Sequence, residues 1–262
     1  MVNFELKSHY DYEDLLRVIH ILRSPGGCPW DQEQTHASIR REFLEETYEA
    51  LEAIDRDDPV LMQEELGDVL MQVVFHADIE ADAGRFTMDD VCDGIVKKMI
   101  YRHPHVFGTV EADTTEQVLV NWEALKRKEK GQQTNTQALD SVARTLPQLW
   151  RAEKVQKKAA KAGFDWPDIY GALDKLDEET AELRQAVVEQ SNVAEELGDV
   201  LFAAVKVGRF AGIDPEAALY ETCEKFIRRF RLMEEAVTRQ GTTMDKLSIA
   251  ELDELWKEAK RS

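Results

Sequence analysis

Glu64-Glu65-Leu66-Gly67-Asp68-Val69-Leu70 recurs 131 positions later as Glu195-Glu196-Leu197-Gly198-Asp199-Val200-Leu201. A second acidic run precedes each copy: Glu45-Glu46-Thr47-Tyr48-Glu49 before the first and Glu178-Glu179-Thr180-Ala181-Glu182 before the second, 133 positions apart. Downstream, Thr87 and Asp214 both read as helix N-caps, and Lys98/Arg102 and Lys225/Arg229 repeat a Lys-x-x-x-Arg step at a spacing of 127. Such self-similarity means that one structural unit occurs twice. Leu66, Val69, Leu70, Val73 and Val74 keep a 3.6-residue period on one helix face, as do Leu197, Val200, Leu201 and Ala204, and both stripes are expected to face a core. No alternating β-branched stretch competes. The expected fold is all-α: two tandem antiparallel bundles, four-helix-bundle-like, of four or five helices each.

Between the copies, Lys126 to Gln137 (KRKEKGQQTNTQ) is polar, loses the apolar period and carries a glycine, so it reads as a linker. The domains are therefore placed at 1–130 and 131–262. After the linker, Leu146, Leu149, Val155 and Ala159 mark an amphipathic helix from about 140 to 161, ending at Gly163 in a C-cap position. Asp58-Pro59 supplies an N-cap and first helical residue, and Asn192 with Glu195 is read as a capping box.

Composition agrees with helix and removes whole classes of function. The 262 residues hold 13 Gly and 7 Pro, below the usual combined share of about 12%. With 52 Asp+Glu against 33 Lys+Arg the net charge is −19, which excludes a general binder of nucleic acid or anionic membrane. No apolar run approaches the roughly 20 residues of a membrane span. The N-terminal stretch carries Glu5, Asp11 and Glu13 and no basic-then-apolar leader. Cys28, Cys92 and Cys223 are far apart and form no CxxC pair, which fits a reducing cytoplasm.

The acids carry the chemistry. Glu46 and Glu49 are three apart, as are Glu65 and Asp68, so each pair shares a helix face. Acids so spaced ordinarily make a solvated face. Here they recur as Glu179, Glu182, Glu196 and Asp199, beside the apolar stripe in both copies. If the two helices of each copy pack antiparallel, four carboxylates meet and repel unless a cation joins them. An all-oxygen set suits Mg²⁺, with Mn²⁺ as a substitute, and Mg²⁺ commonly shares its shell with substrate phosphates. Gly67 and Gly198, costly in mid-helix, suggest close approach of another helix or a ligand. Lys225 and Arg229 share a helix face and could grip phosphate oxygens.

The EExxE and ExxD pair, twice over, resembles the signature of the all-α nucleoside triphosphate pyrophosphohydrolases, with two MazG-type units in tandem. Gly27-Cys28-Pro29-Trp30-Asp31 with Gln34-Thr35, Arg102-His103-Pro104-His105-Val106-Phe107-Gly108, and Gly163-Phe164-Asp165-Trp166 extend the resemblance over essentially the whole chain. It implies Mg²⁺-dependent hydrolysis of nucleoside triphosphates, with broad base tolerance, to the monophosphate and pyrophosphate in a cytoplasmic homodimer. Attack at either the α or the β phosphorus would give these products.

The resemblance places catalysis in the C-terminal unit, with metal on Glu179, Glu182, Glu196 and Asp199. The substrate set it implies is Lys175, Glu178, Glu179, Glu195, Asp199, Lys225, Arg229 and the base-stacking Trp256. Glu178, beside the ligands but at another angle, is the expected group to orient or deprotonate the attacking water. The C-terminal unit is read as alone in having a downstream tryptophan. The N-terminal set Glu46, Glu49, Glu65 and Asp68 forms a second expected metal site, with weak hydrolysis, regulation or dimer packing open as its role. Two rival readings are a narrower pyrophosphohydrolase, acting on dUTP/dCTP or phosphoribosyl-ATP, and a non-enzymatic helical adaptor. His103 and His105, separated by a proline, fit loop packing better than ligation, and Cys28 fits a loop closing over the N-terminal bundle. No GxxxxGK[ST] or GxGxxG occurs, which excludes P-loop and Rossmann phosphate binding.

Overall fold

The computed structural model of the protein describes residues 4–129 and 131–261, with Lys130 of the expected linker outside them. It divides into two compact units, Met1–Lys126 and Arg127–Ser262. Every regular element among the described residues is a helix. The first unit contains α1 (Tyr12–Arg23), α2 (Pro29–Glu33), α3 (Arg40–Asp55), α4 (Pro59–Asp82), α5 (Met88–Arg102) and α6 (Pro104–Phe107), and α7 (Thr115–Glu129) runs past its end. The second contains α8 (Asn135–Asp140), α9 (Gln148–Lys161), α10 (Ile169–Glu189), α11 (Val193–Ala211), α12 (Pro215–Arg239) and α13 (Ile249–Ala259), with a 3₁₀ turn at Met244–Lys246.

Local chemistry sets most helix ends. Asp58 accepts from Val60 and Leu61 N–H at the start of α4, and Pro59 fills the first position, where its missing N–H costs nothing. Thr87 and Asp90 form a reciprocal capping box on α5, and Asp214 caps α12. At the end of α9, Gly163 takes φ +88° and donates to Ala160 O while Phe164 donates to Ala159 O, a Schellman ending that requires the left-handed region. That helix begins at Gln148, later than its apolar period suggests, because Pro147 displaces the preceding residue from helical geometry. The polar stretch 126–137 is likewise more ordered than a linker: α7 continues to Glu129, and Thr134 with Gln137 caps α8. Prolines 29 and 104 each start an extra short helix, so the first unit holds more than the four or five helices expected.

Each unit is built on one helical hairpin, α3 with α4 and α10 with α11, whose short connections make the helices antiparallel neighbours. Around the first hairpin, α1 packs on α4, and Ile19, Ile39, Val74 and Phe75 form the buried core. In the second unit α9 and α12 pack on α11.

The two stripes assigned to the core do not fill it. Of the first, Val74 is buried, but Leu66 is 54% and Leu70 39% exposed; of the second, Leu197 is 48% and Leu201 50% exposed. Packing against α3 turns α4 so that Glu65 and Gln72 point inward instead. A Cβ added at Gly67 or Gly198 would meet nothing within 4 Å, so neither glycine marks a close helix approach within the chain.

Candidate active site

The hairpins bring the paired acids together. In the first unit, Glu46 and Glu49 on α3 and Glu65 on α4 offer oxygens within 4.8 Å of one another, and Glu179 and Glu182 on α10 with Glu196 on α11 do the same in the second. Asp68 and Asp199, the fourth expected ligands, lie outside these groups. Each cluster runs from a buried member, Glu65 or Glu179, to an exposed one, Glu49 or Glu182, and so opens to solvent.

The electrostatics of the two clusters differ. In the first, burial raises the Glu46 carboxyl above its ordinary value, reinforced by Asp68 and Glu49, and burial with Glu49 and Asp68 raises Glu65. Glu65 Oε2 is buried without a hydrogen-bond partner, as is Oε2 of Glu42, one turn before Glu46. In the second, the residue at the position of Glu42 is Lys175. Its ammonium lies 2.7 Å from Glu179 Oε1 and 2.9 Å from Glu178 Oε1, and these contacts raise its pKa well above the normal lysine value. Glu182 is raised by burial and then by a hydrogen bond with Glu179, against which Lys175 works.

The remaining expected residues take varied positions. Glu178 is exposed and engaged by Lys175, outside the carboxylate group. Asn192 does not cap the α11 backbone as a capping box requires; its Nδ2 donates to Glu196 Oε1 at 2.6 Å and reaches Glu195 Oε2 at 3.4 Å, so the amide orients the cluster instead. Lys225 is exposed and Arg229 half-buried on α12, and among the described residues neither makes an ion pair. Trp256 on α13 lies 5.0 Å from the Phe226 ring of α12.

The C-terminal tryptophan is not alone. Trp122 on α7 stands 134 positions before Trp256 and packs on its own unit's downstream helix end: Arg102 lies 5.4 Å over its ring and His103 meets its edge at 4.8 Å. The repeat spacing was the signal that could have found it. Arg102 is buried there, and His103 donates from Nδ1 to Met99 O at 2.6 Å, in keeping with loop packing. Cys28 is the N-cap residue of α2 and its backbone N–H donates to Leu22 O, closing the loop at Gly27, where a Cβ would collide with the Ile21 and Leu22 carbonyls.

A buried oxygen without a partner and neighbouring carboxyls raised by one another are what a hard divalent cation relieves, and oxygen-only donors suit Mg²⁺ or Mn²⁺. His20, Asp78 and Asp82 form a third acidic group in the first unit, but Arg23 already bridges both aspartates at 2.8 Å.

Comparison with known proteins agrees with the repeat. The MazG nucleotide pyrophosphohydrolase domain matches residues 34–107 and again 171–232. A nucleoside triphosphate pyrophosphohydrolase of Escherichia coli (strain K12) is 45% identical over 252 residues, covering 94% of this chain and 96% of that protein. The nucleoside triphosphate pyrophosphohydrolase/pyrophosphatase MazG of Thermotoga maritima is 42% identical over 249 residues, 95% of each chain. An uncharacterised Bacillus subtilis protein, YabN, is 47% identical over 257 residues, which are 97% of this chain and 52% of that one.

Proposed function

The chain belongs to the MazG nucleotide pyrophosphohydrolase family, and from that premise we propose that it hydrolyses nucleoside triphosphates of several bases to the monophosphate and pyrophosphate with Mg²⁺. The observation that carries this reading is the convergence of three carboxylates from each hairpin, buried at one end and open at the other. When bound, a divalent cation there supplies charge neutralisation, contacts to phosphate oxygens and a more acidic water. Glu179, Glu182 and Glu196, with Asp199 nearby in sequence, hold it, and Mn²⁺ can replace it.

The protein's own groups do the rest. Lys175 keeps Glu178 and Glu179 in place, and Glu178 is the group that takes the proton of the attacking water. Lys225 and Arg229, which make no ion pair among the described residues, grip phosphate oxygens, and Trp256 stacks on the base. The C-terminal unit is therefore the catalytic one. In the N-terminal unit the carboxylate cluster supports metal binding, while the corresponding Arg102, buried over Trp122, supports weak turnover there.

A homodimer belongs to the same proposal. Leu66 and Leu70 on α4 and Leu197 and Leu201 on α11 leave apolar stripes uncovered in the single chain, as surfaces awaiting a second copy do. No helix among the described residues is long and apolar enough to cross a membrane, and a cytoplasmic location completes the reading.

The test is to incubate the chain with each triphosphate, with and without Mg²⁺, and to read the products by phosphorus NMR. Metal-dependent pyrophosphate from many bases is expected. Pyrophosphate from dUTP and dCTP or from phosphoribosyl-ATP alone would establish the narrower enzyme, while orthophosphate would overturn the proposal in favour of another phosphohydrolase and no turnover would overturn it in favour of a helical adaptor.

A further inference from the structure

The buried face of α4 carries polar side chains that the acid cluster does not use. Gln72, His76 and Glu80 follow one another at four-residue steps; Gln72 and Glu80 are buried and His76 half-buried. Their repeat-mates on α11 are Ala203, Val207 and Ala211, so the shared hairpin packs without any polar group at these positions. The connector between α2 and α3 supplies a further partner, His36, whose own repeat-mate is Ile169.

His36 and His76 meet in an unusual way. Their rings stack with centroids 5.0 Å apart and planes at 14°, and their Nδ1 atoms are separated by 2.7 Å. On its other side, His36 Nε2 lies 2.5 Å from Glu80 Oε1. Arg85 binds both oxygens of Glu80, and this contact, with that of His36, holds the carboxyl down at about 2, so it is ionised throughout the working range. Two ring nitrogens in contact require one N–H and one lone pair. Because ionised Glu80 accepts from His36 Nε2, the contact is satisfied by a neutral pair in which His76 Nδ1 donates to His36, or by a singly charged pair in which either ring is the imidazolium and donates to the other.

We propose that His36 and His76 form a proton-operated latch in the N-terminal unit, fastening the α2–α3 connector to α4 while one proton lies between the rings and releasing it when each ring carries its own. The first added proton is tolerated and the second sets N–H against N–H and cation against cation. Burial, and then the proximity of His36, hold His76 below the ordinary imidazole value, so release falls on the acid side of that range. The charged groups that contact the pair are Glu80 from α4 and, through it, Arg85 from the turn after it, while α3 brings the Phe43 ring to 5.4 Å from His76. Of the charged side chains that α1 turns to α4, His20 and Arg23 engage Asp78 and Asp82 and Arg17 lines the cleft beside Val74, Ala77 and Asp78, while Asp90 of α5 is taken up by its cap with Thr87. The connector leads directly into α3, which carries Glu46 and Glu49, so acidification loosens the entry to the first carboxylate cluster and leaves its counterpart on α10 untouched.

Hydrogen exchange of the full chain tests the latch. The amides of Ser38, Ile39 and Phe43 bond to Thr35 and Ile39 carbonyls, and their protection, corrected for intrinsic exchange, should fall by about tenfold or more between about pH 7.5 and pH 5. In His76→Phe, which keeps a ring against Phe43 but cannot titrate, protection should not change with pH. Equal protection of the wild-type amides at both pH values, or an equal loss in the variant, would overturn the proposal. A second measurement needs no variant: imidazole ¹⁵N spectra of the wild type at neutral pH should show one Nδ1-bound proton shared by the pair. Two neutral rings both protonated only at Nε2 would contradict it.

Discussion

The two carboxylate clusters share a motif and differ in what closes their charge. On α10, Lys175 sits one turn before Glu179 and joins both Glu178 and Glu179; on α3 the same position is Glu42, whose Oε2 is buried without a partner. The second unit thus carries part of its compensating charge internally, whereas among the described residues no cation pairs with the first cluster. The basic residues are divided in the opposite sense. Arg102 is buried within its own unit against Trp122, whereas Arg229 makes no ion pair among the described residues and Trp256 packs on the Phe226 ring. A repeated scaffold can therefore keep its carboxylate geometry in both copies while the arginine after the hairpin is packed on a tryptophan in one and makes no ion pair among the described residues in the other.

The largest effect should come from Glu178. Glu178→Gln is expected to lower kcat by about 10²-fold or more with KM little changed, the usual scale for a general base, whereas Glu45→Gln at the matching position should leave turnover within about twofold. Equal losses would break the distinction between the units. Next comes the lysine exchange. Lys175→Met should lower kcat/KM by about 10- to 100-fold, the scale for groups that support metal ligands, and Glu42→Lys should weaken Mn²⁺ binding in the first unit, read by paramagnetic titration. A Glu42→Lys chain binding Mn²⁺ as tightly as the wild type would show that the first cluster is not short of a cation.

The smallest effect concerns pH and stability without metal. Glu46, Glu65 and Glu182 have raised values, so each holds its proton more tightly folded than unfolded, and its contribution to stability declines as pH rises from the ordinary carboxyl value through the raised one. Glu65→Gln should therefore raise the urea midpoint of the metal-free chain at pH 7 and hardly at pH 4. Glu182→Gln should gain less, because Lys175 already offsets that cluster. Added Mg²⁺ should remove the advantage of both.

Features set by neighbours in sequence were legible without the structure. The caps at Asp58, Thr87 and Asp214, the ending at Gly163 and the acid spacing all depend on residues within one helical turn, and the repeat exposed the hairpin twice. Rotation of the helices was not legible. Periodicity identifies an apolar face on α4 and α11, yet it says nothing of which face meets the neighbouring helix, and Leu66, Leu70, Leu197 and Leu201 remain partly exposed while Glu65 turns inward. Asn192 carries the residue type of a cap but spends its amide on Glu196, a choice decided by the orientation of the Glu196 side chain rather than by local preference. His36 and His76 are 40 positions apart and belong to no spacing motif, so only the folded chain brings them together.

In the proposed assignment the carboxylates of the second hairpin perform the hydrolysis and those of the first add little to it. The direct measurement is Mg²⁺-dependent release of pyrophosphate by the full chain, followed by phosphorus NMR, for Glu179→Gln/Glu182→Gln beside Glu46→Gln/Glu49→Gln. The α10 pair should lose turnover by about 10²-fold or more while the α3 pair keeps most of it. Loss of turnover in the α3 pair alone would move the active site to the N-terminal unit.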